Sequence, residues 1–200
     1  MQNYAVPADS VEVEYEVKKS RFIARAAYAD SREMALSIVA QARLDYPDAR
    51  HHCWAYLLGN PYCAASAAMN DDGEPNGTAG KPILNVLQHK HIGDIVLVVI
   101  RYFGGVKLGA GGLVRAYSAA AQLAMDELST LQQDAMHQLR VMCDFSVEQN
   151  IRHWLGLQGG EVLTIDYAEQ VDLELSFPEK HLQQWLAFAA ANNIKNYLES

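Results

Sequence analysis

Ile95–Tyr117, IVLVVIRYFGGVKLGAGGLVRAY, decides how this chain is read. The run from Ile95 to Ile100 is wholly apolar and mostly β-branched, the pattern of a strand covered on both faces. Arg101, Tyr102 and Phe103 follow, then Gly104, Gly105, Gly109, Gly111 and Gly112, and then an alanine-rich helical stretch reaching residue 131. A strand that feeds a glycine loop and a helix start leaves backbone N–H groups free at the positive end of the helix dipole. Arg101, Lys107 and Arg115 border that loop. The arrangement predicts a site for an anionic group. A purely architectural role competes with it. Gly104 and Gly105 can turn the chain, and Gly111 and Gly112 can let a helix pack closely. Arg101 can lie buried against a carboxylate such as Asp71 or Asp72, because buried charges need partners.

Outward from this stretch the chain alternates strands and helices. Val11, Val13, Tyr15 and Val17 alternate with Glu12, Glu14 and Glu16, which predicts a strand with one wet face. A second strand is expected over residues 22–28, with the basic tip Lys18–Arg21 between them. Asp30 followed by Glu33 reads as a cap for a helix carrying Met34, Ala35, Ile38, Val39 and Ala42. Residues 53–58 and 64–69 read as strands. DDGEPNGTAGK, residues 71–81, is turn-rich and reads as a loop. Pro82 is tolerable in the first turn of the helix that follows. The polar, aperiodic stretch 129–137 separates two expected domains, 1–134 and 137–200.

The second domain repeats the exercise on a smaller scale. Leu139, Val141, Cys143 and Phe145 alternate as a strand, and Ser146 with Gln149 reads as a capping box. Two further alternating strands, a helix beginning at Pro178 and a last strand over 194–198 complete the order β-α-β-β-α-β. That is the ferredoxin-like split βαβ pattern.

Composition bounds what the chain does. Two hundred residues, half of them apolar and a fifth charged, describe a globular protein. The first ten residues lack the basic start and apolar core of a signal peptide, and no apolar run reaches the roughly 20 residues a bilayer requires. Cys53, Cys63 and Cys143 form no CxxC pair, and their odd number points to a reducing, cytoplasmic setting. A net charge of −8 disfavours indiscriminate attraction to nucleic acid or anionic membranes. The second domain holds four basic against nine acidic residues. Between residues 79 and 116, however, five bases (Lys81, Lys90, Arg101, Lys107 and Arg115) face one acid, Asp94.

Known site patterns fail. A Walker motif ending at Lys81 needs glycine at position 75 and Ser or Thr at position 82, and both are proline. Val114 stands where a dinucleotide fingerprint needs its third glycine. Asp71, Asp72 and Glu74 suit a turn better than a metal site, and no metal or other cofactor is expected. His51 and His52 are adjacent in a strand, so they point to opposite faces and do not share a ligand. Cys53 can be a nucleophile beside histidine, but a cysteine in an apolar run is more often core.

Four segments together resemble the IMPACT family: KKSRF (18–22), DARHHCWAY (48–56), DDGEPNGTAGKPIL (71–84) and VIRYFGGVKLGAGGLVRAY (99–117). The chain as a whole looks like the bacterial YigZ-type members. The resemblance implies an α+β fold. Its N-terminal domain would be similar to domain 2 of ribosomal protein S5, and its ferredoxin-like C-terminal domain akin to domains of elongation factor G. Eukaryotic relatives regulate translation, but through an N-terminal domain that is not part of this sequence.

The expected function is a non-enzymatic cytoplasmic binding protein linked to translation or RNA. Lys81, Arg101, Gly104, Gly105, Lys107, Gly109, Gly111, Gly112 and Arg115 would hold an anionic group, supported by Arg21, His51, His52, Asp71, Asp72, Glu74 and Thr78. Expected partners are RNA or a ribosome-associated molecule, and a protein at the C-terminal domain; no membrane is expected. The alternative is an enzyme acting on a small phosphorylated or carboxylated metabolite, with His51 or His52 and the acids Asp71, Asp72 and Glu74 moving protons.

Overall fold

The computed structural model describes residues 3–197, and Leu198 of the expected last strand lies outside them. The chain is mixed α+β and divides into two compact units. One spans Tyr4–Gln133; the other starts at Asp134 and takes in Asn3.

The N-terminal unit is built on a five-stranded antiparallel sheet. Its strands are β2 (Val11–Val17), β3 (Ser20–Tyr28), β4 (His51–Leu58), β5 (Ser66–Asn70) and β6 (Ile95–Tyr102), in the order β2-β3-β6-β4-β5. The apolar β6 is central, as its composition demands. One face carries α2 (Gly80–Lys90) and α3 (Ala110–Glu127), which pack Ile83, Leu87, Leu113, Tyr117 and Ala120 against Phe22, Cys53, Leu97 and Val99. The other face carries α1 (Arg32–Asp45), whose Ala35, Val39 and Ala42 meet Ile23, Tyr56, Val98 and Ile100. With helices on both sides, β6 needs no polar face. Edge strand β2 keeps one, and its glutamates are exposed.

Three local expectations are corrected. The cap of α1 is Ser31, not Asp30: its hydroxyl accepts a bond from the Met34 N–H. The alanine-rich helix starts at Ala110 and stops at Glu127. The stretch after it is not featureless, because Thr130–Gln133 forms β7, paired antiparallel with β1 (Tyr4–Pro7). Neither strand alternates cleanly, and their pairing joins residues far apart in sequence.

The C-terminal unit runs β8 (Met136–Cys143), α4 (Phe145–Gln158), β9 (Glu161–Tyr167), β10 (Val171–Pro178), a 3₁₀ turn at Glu179–His181, α5 (Leu182–Ala191) and β11 (Lys195–Tyr197). The antiparallel sheet has the order β11-β8-β10-β9. Ile151, Leu155, Trp185 and Ala189 cover Leu139, Val141, Leu173 and Leu175. Here too caps are corrected. Asp144 stands at the cap of α4 without a side-chain bond, and Ser146 and Gln149 lie inside the helix. Pro178 ends a strand rather than starting a helix.

Candidate functional site

Strand register brings the site together. Arg101 lies opposite Phe22 of β3 and opposite His51 of β4. Directly opposed residues share a face, so all three side chains belong to the side covered by α2 and α3. His52, one residue on, pairs with Ile100 and belongs to the α1 side. The two histidines therefore separate as the strand period requires.

The loop between β5 and α2 closes over Arg101. Glu74 is buried and its Oε1 accepts from the Arg101 guanidinium at 2.5 Å and from the Tyr117 hydroxyl at 2.8 Å. The side chains of Arg101 and Glu74 are 8% and 4% exposed. The carboxylate anticipated for Arg101 was Asp71 or Asp72; the structure corrects it to Glu74. The other two acids are occupied elsewhere. Asp71 accepts backbone N–H bonds from Gly77, Ala79 and Gly80 at 2.8, 3.0 and 2.8 Å, which caps α2. Burial raises the Asp71 pKa, but those donors outweigh it and hold the carboxyl below its ordinary range. Asp72 accepts from the His52 N–H and from Arg43, both at 2.7 Å. Thr78 is buried and donates its hydroxyl to the Pro75 carbonyl.

His51 Nδ1 lies 2.9 Å from the Asp72 carbonyl. A carbonyl only accepts, so Nδ1 carries the proton and a neutral ring keeps its lone pair at Nε2. His52 is buried with Nε2 unpartnered, and burial pushes its pKa below the usual histidine range. Cys53 is fully buried, with Sγ 3.0 Å from the Asp71 carbonyl and 3.3 Å from the Tyr117 hydroxyl. Burial raises its pKa above the thiol range, which favours the protonated thiol. It packs in the core beneath α2 and α3.

A cavity of about 380 Å³ opens beside this network, lined by Arg50, His51, Glu74, Pro75, Arg101, Phe103, Lys107, Leu108, Gly109, Ala110 and Leu113. Its size falls at the lower end of the roughly 300–1,000 Å³ of small-ligand pockets. Helix α3 starts at its wall. Gly109 is the N-cap at φ +72°, a backbone setting that favours glycine, and no side chain caps the helix. Arg101 Nε has no hydrogen-bond partner. Arg50 and Lys107 are exposed and, among the described residues, have no carboxylate or hydrogen-bond partner.

The remaining expected residues lie around this cavity rather than in it. Gly104 is where β6 leaves the sheet; a Cβ there would collide with the backbone of Lys19 and Ser20, and its N–H donates to the Ser20 hydroxyl. Gly105 continues that turn. Gly111, Gly112 and Arg115 lie in the first turns of α3, with Gly112 and Arg115 at a second cavity of about 300 Å³ that also takes in Tyr15, Val17, Lys18, Leu108 and Ala116. Arg21 stacks over Tyr102 at 4.7 Å and lies 3.7 Å from Glu14. Lys81 is exposed on α2 and lines neither cavity. Arg50, Phe103 and Leu108 were missed; the signal for Arg50 was its position one residue before a strand that begins beside Arg101.

A larger cavity of about 420 Å³ lies on the face of the C-terminal sheet away from its core, among Arg140, Asp166, Asp172 and Glu174. Asp172 holds Arg140 through two nitrogens, so that surface is acidic and unsuited to an anion. Among the described residues, no group of three or more His, Cys, Asp or Glu is placed to hold a metal ion, and no helix is long and apolar enough to cross a membrane.

Comparison with known proteins agrees over nearly the full length. Residues 18–125 match the family model for the Impact N-terminal domain. The chain is 38% identical over 187 residues to "IMPACT family member YigZ" of Escherichia coli, covering 94% of this chain and 92% of that protein. It is 32% identical over 189 residues to "IMPACT family member YvyE" of Bacillus subtilis, covering 93% and 86%. A crystal structure of a hypothetical protein, 35% identical, superposes with a TM-score of 0.90 over all of this chain and 98% of the other.

Proposed function

The chain belongs to the IMPACT family, and from that premise we propose that it is a non-enzymatic cytoplasmic binding protein that regulates translation by holding an anionic group at the start of α3. We read the N-terminal unit as an S5 domain 2-like fold and the C-terminal unit as ferredoxin-like, of the elongation factor G kind. One observation carries the reading: an uncapped helix start and two unpaired cations, Lys107 and Arg50, converge on one cavity. Glu74 does not cancel them, since its charge is already matched by Arg101. The amides of Ala110, Gly111 and Gly112 supply directed donors and the helix dipole supplies positive potential. The carboxylates Asp71, Asp72 and Glu74 each accept strong bonds within the fold, which favours binding over proton transfer. The acidic sheet of the C-terminal unit suits a basic protein partner.

The test is sedimentation of the full chain with ribosomes at low and at physiological salt. The reading expects co-sedimentation that survives physiological salt and falls for Lys107→Ala. Binding confined to low salt, or absent at both, removes the translation link.

A further inference from the structure

Resting on that reading, we infer that the start of α3 is a track for an unpaired nucleic-acid strand, with two successive subsites divided by Leu108. The two cavities share Leu108 and no other residue. Gly109, Ala110 and Leu113 face the first, and Gly112, Arg115 and Ala116 the second, so the pair lies on neighbouring faces of the first two turns of one helix. Each subsite brings its own cations: Arg50 and Lys107 in the first, Lys18 and Arg115 in the second. None of these four has a carboxylate or hydrogen-bond partner among the described residues. The first also contains Arg101, nine-tenths buried, with Nε unpartnered. No acid lines the second subsite.

A lone small anion needs one such place. Two places in a row, each positive, match a chain whose charge repeats. The apolar surface selects which chain. Phe103, Val106 and Val114 are exposed at 54%, 43% and 38% around the same turns. A flat base stacks on an aromatic face such as that of Phe103, which lines the first subsite, and packs over the neighbouring valines, while backbone phosphates meet the cations. A peptide of repeating carboxylates has no flat face to place there, and a duplex keeps its bases stacked inside.

The experiment is competition against fluorescein-labelled hexauridylate, read by anisotropy on the full chain. Competitors are uridine 5′-monophosphate, oligouridylates of two, three and six residues, and hexaglutamate. The track predicts affinity rising about tenfold or more from one residue to three, then levelling, because each phosphate added to an occupied subsite releases further counterions. Lys107→Ala weakens every length. Arg115→Ala weakens hexauridylate about fivefold to tenfold and leaves the monophosphate unchanged. Lys81→Ala, a cation on the same unit outside both cavities, leaves both unchanged. The track is overturned if Arg115→Ala has no effect at any length, if Lys81→Ala matches it, if hexaglutamate competes equally, or if hexauridylate does not bind. Persistent Lys107-dependent sedimentation with ribosomes in any of those cases keeps the anion reading and removes only the strand.

Discussion

Helices α2 and α3 both begin after a glycine-rich loop, yet only α2 begins on an anion. Asp71 places its carboxylate against the N–H groups of Gly77, Ala79 and Gly80. At α3 the N-cap is Gly109, which brings no side chain, and a cavity lies where the carboxylate would be. The comparison teaches that the fold contains both versions of one device. At α2 the chain supplies the negative charge itself, and the loop becomes architecture. At α3 the charge is left to come from outside, with Arg50 and Lys107 beside it.

The largest effect should come from the seam between the two loops. Glu74→Ala leaves the Arg101 guanidinium buried without its carboxylate, and unfolding in urea should show a loss of about 3–5 kcal/mol. Next comes Asp71→Ala, which strips three donors of their acceptor and should cost about 2 kcal/mol by the same measurement. Asp71 also gives the closed helix start an acid limit. Its folded pKa lies below the unfolded value, so the unfolded chain takes up the proton more readily. The stabilisation is complete above about pH 4–5 and fades as pH falls through the folded pKa. Urea midpoints between pH 7 and pH 3 should therefore converge for wild type and Asp71→Ala.

The open helix start should behave in the opposite sense. Ala110→Asp gives α3 an anion of its own; it should stabilise the fold by about 0.5 kcal/mol and weaken hexauridylate binding. A variant that is stabilised yet binds as before would break the comparison. Smallest of all, Lys107→Ala should leave stability within about 0.5 kcal/mol while binding falls, because its side chain is exposed and unpaired.

Much of this was legible in the sequence for identifiable reasons. The apolar run of β6 could only be central, and the five glycines after it marked the start of α3. The opposite facing of His51 and His52 follows from the strand period alone. The partner of Arg101 was not legible. Asp71 and Asp72 are as acidic as Glu74, and only the turns through Gly73 and Gly77 determine which carboxylate swings back over β6. Arg50 and Leu108 were hidden for a related reason: they meet at the cavity through strand pairing and loop closure, not through proximity in sequence. Lys81 illustrates the converse. It sits among the motif residues, yet α2 carries it away from both cavities.

The β1–β7 ribbon has a consequence for how the protein is made. Apart from a single bridge between Ala5 and Ile92, Tyr4–Pro7 takes its ladder from Thr130–Gln133, so the N-terminal unit cannot finish until its last strand has emerged from the ribosome. Such distant pairings close late, because the loop between them must first be ordered. A polypeptide interrupted before Thr130 would hold Val6, now 2% exposed, on a strand without its ladder. That unpaired edge distinguishes an incomplete product from a finished one, and makes it an accessible handle for chaperones and proteases.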